Sequence, residues 1–256
     1  IIRKLQAVEG LGSVSVICPD KTATLTQNKM TVQYYYTDEC TTATDQMDLT
    51  DPAQKQLMIF SMLCNDASCQ NGEDIGDPTE TALLHLSSKL GYQESDVRKQ
   101  YPRLYELPFD SDRKLMSTVH NMDGKIVMIT KGAVDVLGNR LSSIRKFGET
   151  RAFTQQDAKD LAFMNQNLSE HGLRILAFGY RILDEARPLT LEDENGLTFL
   201  GLIAMMDPPR PESKDAVAKC ISAGIKPVMI TGDHKITASA IAKRIGILKD
   251  ASEACE

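Results

Sequence analysis

Asp20 stands just after a short apolar run, residues 14–18, in the string Cys18-Pro19-Asp20-Lys21-Thr22-Ala23-Thr24-Leu25-Thr26. A short apolar run of this kind reads as a buried strand. Pro19 ends it, so Asp20 emerges at the carboxyl edge, where open α/β sheets bind their ligands. A carboxylate in that place can act as a nucleophile in phosphoryl transfer and form an aspartyl-phosphate. Thr22, Thr24 and Thr26 follow at alternate positions and offer hydroxyls to phosphate oxygens. A bare Asp-Lys-Thr after a strand is an ordinary turn; the longer string is what favours chemistry.

The composition is that of a packed globular chain. Of 256 residues, 42% are hydrophobic and 25% charged, enough for one large or two ordinary domains. The net charge of -6 argues against nucleic acid as a partner. No window approaches the roughly 18 apolar residues of a membrane span, and no secretory signal is present at the start. The cysteines are scattered and read as reduced cytosolic thiols. Cys64 and Cys69 have no second pair and no nearby His, and His85, His120, His171 and His234 show no ligand spacing, so no metal site of that type is expected.

The elements that would position Asp20 come from both ends of the chain. Residues 199–206 form a continuous apolar run, as expected for a parallel strand buried on both faces. After Asp207-Pro208-Pro209-Arg210 come a helix over 212–223, a strand over 226–230, Thr231-Gly232-Asp233-His234 and a helix over 235–245. That alternation predicts a parallel sheet with right-handed crossovers.

The middle of the chain has another character. Residues 37–51, rich in Thr and Asp, read as a loop or linker. Thr50 can cap a helix that has Pro52 in its first turn and runs to about Cys64. Asp77-Pro78-Thr79-Glu80 is a second helix start closed by Gly91, in which Glu80 reads locally as a capping-box carboxylate. Strands are expected over 104–109, 114–120 and 125–130, with Asp123-Gly124 as a hairpin turn. A helix over 154–170 and a strand over 174–180 follow. The expected architecture is therefore α/β: a discontinuous parallel-sheet domain of residues 1–32 and 200–256, with an antiparallel α+β domain of residues 33–199 inserted.

The Asp20 string closely resembles the phosphorylation motif of the P-type ATPases, the cation pumps that form an aspartyl-phosphate. That family reads Asp-Lys-Thr-Gly-Thr-Leu-Thr; Ala23 is the single departure. The resemblance covers nearly the whole chain, with type II calcium pumps looking most similar. It implies a haloacid-dehalogenase-like phosphorylation domain and an inserted nucleotide-binding domain, with ATP and Mg²⁺ as ligands. The implied catalytic group is Asp20, Lys21, Thr22, Thr231 and Gly232. Asp20 attacks the γ-phosphoryl, Thr231 and Gly232 donate hydrogen bonds to it, and Asp20 with the Thr22 carbonyl holds Mg²⁺.

In the implied nucleotide domain Phe109 stacks on adenine, Glu80 lies near it, Lys131 of Lys131-Gly132-Ala133 reaches the ATP, and Lys114 and Arg174 lie near the phosphates. Asp207, Arg210 and Asp233 help hold ATP in its closed pose. The family's loop often has an Arg two residues after the Phe, where this chain has Ser111.

Phosphatases of the dehalogenase fold carry a second Asp two after the nucleophile, the place of Thr22 here. Without that carboxylate nothing beside Asp20 activates water against the intermediate, which suits a pump. A stand-alone phosphatase of that fold and an inactive ATP-binding fragment remain the other readings. The family motif Gly-Asp-Gly-x-Asn-Asp and a phosphoryl-contacting Lys would lie past Glu256. The chain is therefore expected to be a soluble piece of a pump, from the cytoplasmic face of a membrane, whose partners are the transmembrane and actuator domains of its parent. Alone it is expected to bind ATP without turning it over.

Overall fold

The structure is a computed structural model that describes residues 13–70, 73–232 and 235–254. In chain order the strands and helices begin with β1 (Val16–Ile17), β2 (Thr31–Thr37), β3 (Cys40–Ala43) and α1 (Pro52–Leu63). There follow β4 (Ser68–Gln70), β5 (Glu73–Ile75), α2 (Pro78–Lys89), α3 (Glu94–Gln100), β6 (Arg103–Asp110), β7 (Leu115–Met122) and β8 (Lys125–Gly132). Next come α4 (Val134–Gly138), β9 (Leu141–Lys146), β10 (Glu149–Ala152), α5 (Gln155–Glu170), β11 (Arg174–Leu183) and β12 (Leu197–Met206). The chain closes with α6 (Pro211–Ser222), β13 (Lys226–Pro227) and α7 (Lys235–Ile245).

Contacts divide the chain into two units. One, the sheet unit, is Met30–Ser169 with Leu173–Met206; the other, the Asp20 unit, holds the described residues up to Lys29, Glu170–Gly172 and those from Asp207 on. The sequence placed the breaks at 32/33 and 199/200. The difference is mostly β12, and its cause is instructive. Residues 199–206 were expected to be a parallel strand of the outer domain. β12 instead runs antiparallel to β11 along most of its length and antiparallel to β2 at its carboxyl half; only Leu197–Phe199 pair parallel, with β9. Its unbroken apolarity comes from burial on both faces of an antiparallel sheet. Leu202 belongs to the core on one face and Ile203 to the core on the other.

That nine-stranded sheet has the order β10-β9-β12-β11-β8-β7-β6, with β2 and β3 branching from β12. Alternation assigns neighbours to opposite faces: Met116, Ile129 and Phe178 pack with α1 and α2, while Leu115, Met128 and Ala177 pack with α4 and α5. Residues 37–51 are not a loop throughout, because β3 pairs with β2 across Asp38 and Glu39, both at positive φ. The pattern hid this strand because Cys40–Ala43 is small, polar and largely outside the core.

Helix starts follow the expected chemistry, with one shift. Asp51, not Thr50, caps α1, its carboxylate accepting from the amides of Ala53 and Gln54. Asp77 caps α2 through the Thr79 amide, with Pro78 at the first position. Asp123 and Gly124 both have positive φ, as a two-residue hairpin turn requires.

The Asp20 unit is thinner. β1 pairs parallel with β13, Val16 opposite Lys226 and Ile17 opposite Pro227, and a small core joins Leu25 of the loop after Asp20 to Val217 of α6 and Ile245 of α7. The expected buried strand over 14–18 is corrected: Val16 and Ile17 are 46% and 44% exposed. The strand expected over 226–230 is two residues long plus a bridge between Asp20 and Ile230. Among the described residues of this unit, the parallel pairing amounts to this ribbon and bridge and not to an open sheet.

Candidate functional site

In the Asp20 unit the parallel register does the positioning. The Lys21 amide donates to the Ile230 carbonyl and the Ile230 amide to the Pro19 carbonyl, both at 3.0 Å. Asp20 is therefore fixed beside Ile230 at the carboxyl ends of both strands, and Thr231 and Gly232 follow directly. The structure brings Asp20, Lys21, Thr22, Thr231 and Gly232 to one edge. Asp20 and Thr22 are exposed there and Lys21 is buried. A Cβ added at Gly232 would meet nothing within 4 Å, so the backbone there is open to a ligand. Asp233 lies outside the described residues.

The loop after Asp20 is a wide turn, Lys21–Leu25, interrupted by Thr22 in extended geometry and Ala23 at φ 62°. The turn undoes the alternation expected of its threonines. Thr22 and Thr24 are exposed, whereas Thr26 is buried, and its hydroxyl donates to Asp207 Oδ2 at 2.5 Å. The other oxygen of Asp207 accepts from the Lys29 amide at 3.1 Å. Arg210 donates through Nη2 to the Ala23 carbonyl at 3.0 Å, and Ser213 Oγ donates to the Leu25 carbonyl at 2.8 Å. Asp207 and Arg210, expected to hold ATP, are thus engaged in clamping the loop; this contact is local to the unit and could not be read from spacing.

The sheet unit gathers a second set. Glu80, in the first turn of α2, does not close a capping box. Its Oε2 accepts from the amides of Asp66 and Ala67, each at 3.0 Å, and its Oε1 accepts from Lys131 Nζ. Lys131 is correspondingly buried at the end of β8, and is not a solvated strand end. Arg174 Nη1 donates to Thr79 Oγ1 at 2.8 Å, a second link from the sheet to the start of α2.

Gly132 pairs with Leu115, and a Cβ on it would lie 2.2 Å from the Lys114 carbonyl. The glycine is therefore demanded by the close approach of two strands. Lys114, at φ 55°, and Phe109, 59% exposed, lie at the β6–β7 hairpin and face solvent. Asp110 shapes its tip by accepting from the amides of Asp112 and Arg113.

Two groupings escaped the sequence. Arg113 lies 3.1 Å through Nε from Glu194 Oε2 and donates through Nη2 to the Pro108 and Leu115 carbonyls. Glu194 also accepts from Ser117 Oγ at 2.7 Å, and that hydroxyl meets Thr130 at 2.9 Å. Cys69, Asp74 and His85 come together as well, against the expectation that no His approaches these cysteines. Cys69 and His85 are sixteen positions apart, and only the folding of β4 and β5 onto α2 closes that gap.

Both sets suit nucleotide chemistry: an exposed carboxylate at a strand end with oxygen donors around it, and an exposed aromatic ring on a hairpin beside basic residues. Comparison with known proteins gives the family. The model for P-type ATPase, cytoplasmic domain N, matches residues 53–212. A calcium-transporting ATPase 1 of Bacillus cereus is 46% identical over 99% of the chain, and one of Lactococcus lactis 48% over 98%. The sodium/potassium-transporting ATPase subunit alpha of Tetronarce californica is 38% identical over the whole chain. The chain spans 28%, 29% and 28% of these three relatives. With the family model covering more than half of its length, the chain belongs to the P-type ATPase family.

Proposed function

We propose that this chain is the ATP-binding and aspartyl-phosphate-forming region of a cation-transporting P-type ATPase of calcium type, acting at the cytoplasmic face of a membrane together with the transmembrane and actuator domains of its parent. The observation that carries the reading is the fixing of Asp20 beside Ile230, with Thr231 and Gly232 next to it, by the pair of backbone hydrogen bonds at 3.0 Å. In this reading the Asp20 unit is part of a dehalogenase-like phosphorylation domain, and the sheet unit is the nucleotide-binding domain.

The sheet unit binds ATP, with adenine stacked on Phe109 near Glu80, Lys131 reaching the nucleotide from its pair with Glu80, and Lys114 and Arg174 supplying positive charge toward the phosphates. The Asp20 carboxylate attacks the γ-phosphorus in line: the new bond forms from its oxygen, the bond to the ADP oxygen breaks, and ADP departs with the electron pair. The amide of Gly232 and the hydroxyl of Thr231 donate to the transferring oxygens. Positioning and charge compensation are what such a transfer requires.

Asp20 and the Thr22 carbonyl form an all-oxygen donor set of the kind that Mg²⁺ takes, the remaining places going to water and phosphate. Bound there, the ion neutralises charge on the phosphoryl oxygens. Thr22, with no carboxylate, cannot activate water, which favours a lasting intermediate over a phosphatase. The test has two readouts. Calorimetry should show ATP binding by this chain. In the full-length parent, acid-stable and hydroxylamine-labile phosphate should appear on Asp20 and vanish in Asp20→Asn. Label that survives Asp20→Asn would overturn the assignment.

A further inference from the structure

We propose that Cys69, Asp74 and His85 form a binding site for a divalent transition-metal cation of the zinc class. Cys69 and Asp74 are directly paired residues of the antiparallel β4–β5 ribbon, so their side chains share one face. His85 lies on α2, which packs against that ribbon. Cys69 Sγ is 3.3 Å from Asp74 Oδ1, Asp74 Oδ2 is 2.7 Å from His85 Nε2, and all three donor atoms lie within 4.8 Å of one another.

A tetrahedral zinc ion takes sulfur at about 2.3 Å and nitrogen or oxygen at about 2.0–2.2 Å, which sets neighbouring ligand atoms roughly 3.4–3.6 Å apart. The two contacts here fall short of that spacing by less than about an ångström. Side-chain rotation is enough to open them, since His85 and Asp74 are 37% and 40% exposed. A thiolate, an imidazole and a carboxylate together select zinc, or cobalt in its place, over magnesium or calcium, whose ligands are all oxygen. Partial exposure leaves a fourth position for water.

Binding replaces two hydrogen bonds by metal bonds with a definite proton balance. The thiol proton leaves to solvent, and the imidazole coordinates through a deprotonated Nε2, keeping a proton only on Nδ1. Affinity should therefore rise with pH. The site also has a structural consequence. The amides of Asp66 and Ala67, which hold Glu80, lie immediately before β4, and Glu80 and His85 share α2. An ion at this place would join the same two segments that Glu80 joins.

The experiment is titration of the reduced chain with Co²⁺, using a phosphine reductant so that no competing thiol is present. One equivalent should give a thiolate-to-cobalt charge-transfer band and visible bands of tetrahedral intensity, both lost on adding Zn²⁺. Cys69→Ser should abolish the charge-transfer band, Asp74→Asn and His85→Gln should weaken binding about tenfold or more, and Cys40→Ser should change nothing. Alkylation of wild-type Cys69, mapped by mass spectrometry, should slow about tenfold with saturating Zn²⁺ while Cys40 does not; this readout needs no variant to fold. Absence of the band, its survival in Cys69→Ser, or alkylation of Cys69 indifferent to Zn²⁺ would overturn the proposal.

Discussion

Lys131 Nζ donates to Glu80 Oε1, joining the end of β8 to the first turn of α2. The pair is largely sheltered from water, and Glu80 is held from its other oxygen by two backbone amides. Removing one member of a buried pair leaves the other uncompensated, at about 3–5 kcal/mol. Glu80→Ala strands both the ammonium and the two amides, and should cost about that much. Lys131→Met leaves the carboxylate its amide donors and should cost less. Urea denaturation of the two variants and their double should show a double-variant loss smaller than the sum, since both changes remove one interaction. Strict additivity would mean the pair is not coupled in solution.

Phe109→Ala tests the proposed adenine contact with little structural penalty, because the ring is 59% exposed. Stacking of an aromatic ring on a base contributes about 1–3 kcal/mol. ATP affinity should fall about tenfold or more by calorimetry, with the denaturation midpoint unmoved. An affinity equal to wild type would remove Phe109 from the site.

Ala23 sits at φ 62°, in the left-handed region that a Cβ disfavours by roughly 1 kcal/mol. The phosphorylation motif that this loop resembles has Gly there. Ala23→Gly should relieve that strain in the loop next to Asp20, and in the full-length parent it should raise the rate at which the hydroxylamine-labile phosphoenzyme forms. A rate unchanged or lowered by Ala23→Gly would show that the loop does not limit the transfer.

His120 gives the sheet unit a pH dependence. Burial of its ring pulls the pKa down to about 4, and Arg103 and Arg98 oppose its charge, while the Tyr101 carbonyl at 2.9 Å from Nδ1 acts in the other direction. Nδ1–H donates to that carbonyl, and Nε2 accepts from the Thr118 hydroxyl at 3.0 Å. The folded pKa is depressed below the unfolded value of about 6.5. The contribution is therefore complete above pH 6.5 and declines as pH falls toward 4, because the unfolded chain takes up the proton first. At pH 5 the loss should be about 2 kcal/mol relative to pH 7.5. Urea titrations at the two values should show it, and His120→Gln should flatten the difference; an equally steep decline in His120→Gln would assign it to other groups.

What was legible followed from local chemistry. Asp77, Pro78 and Gly91 bracket α2 because capping is decided within a turn, and Asp123-Gly124 marks its hairpin because both residues tolerate positive φ. The Asp20 edge was readable because a strand end followed by a polar loop is a local pattern. Residues 199–206 were misassigned for a reason periodicity cannot repair: burial on both faces looks the same in parallel and antiparallel sheets. Glu80 was read as a cap because its true partners, Asp66, Ala67 and Lys131, are far away in sequence. The bonds of Asp207 to the Thr26 hydroxyl and the Lys29 amide were hidden because those partners are nearly two hundred residues away in sequence. Cys69 and His85 looked unrelated until the ribbon and helix met.

The branching of the sheet at β12 sets the order in which the chain can become native. Beyond its hairpin with β3, β2 finds its neighbour in the sheet only when β12 exists, and nearly all the rest of the unit is synthesised between them. On the ribosome the β2–β3 hairpin must therefore wait for its neighbour in the sheet, while β6, β7 and β8 can already pair with one another as sequential neighbours. Long-range pairing of this sort slows folding, because loop-closure entropy is lost before the contact forms. The β6–β8 meander is thus the natural template, and the arrival of β12 is the event that locks β2, β9 and β11 into one cooperative body.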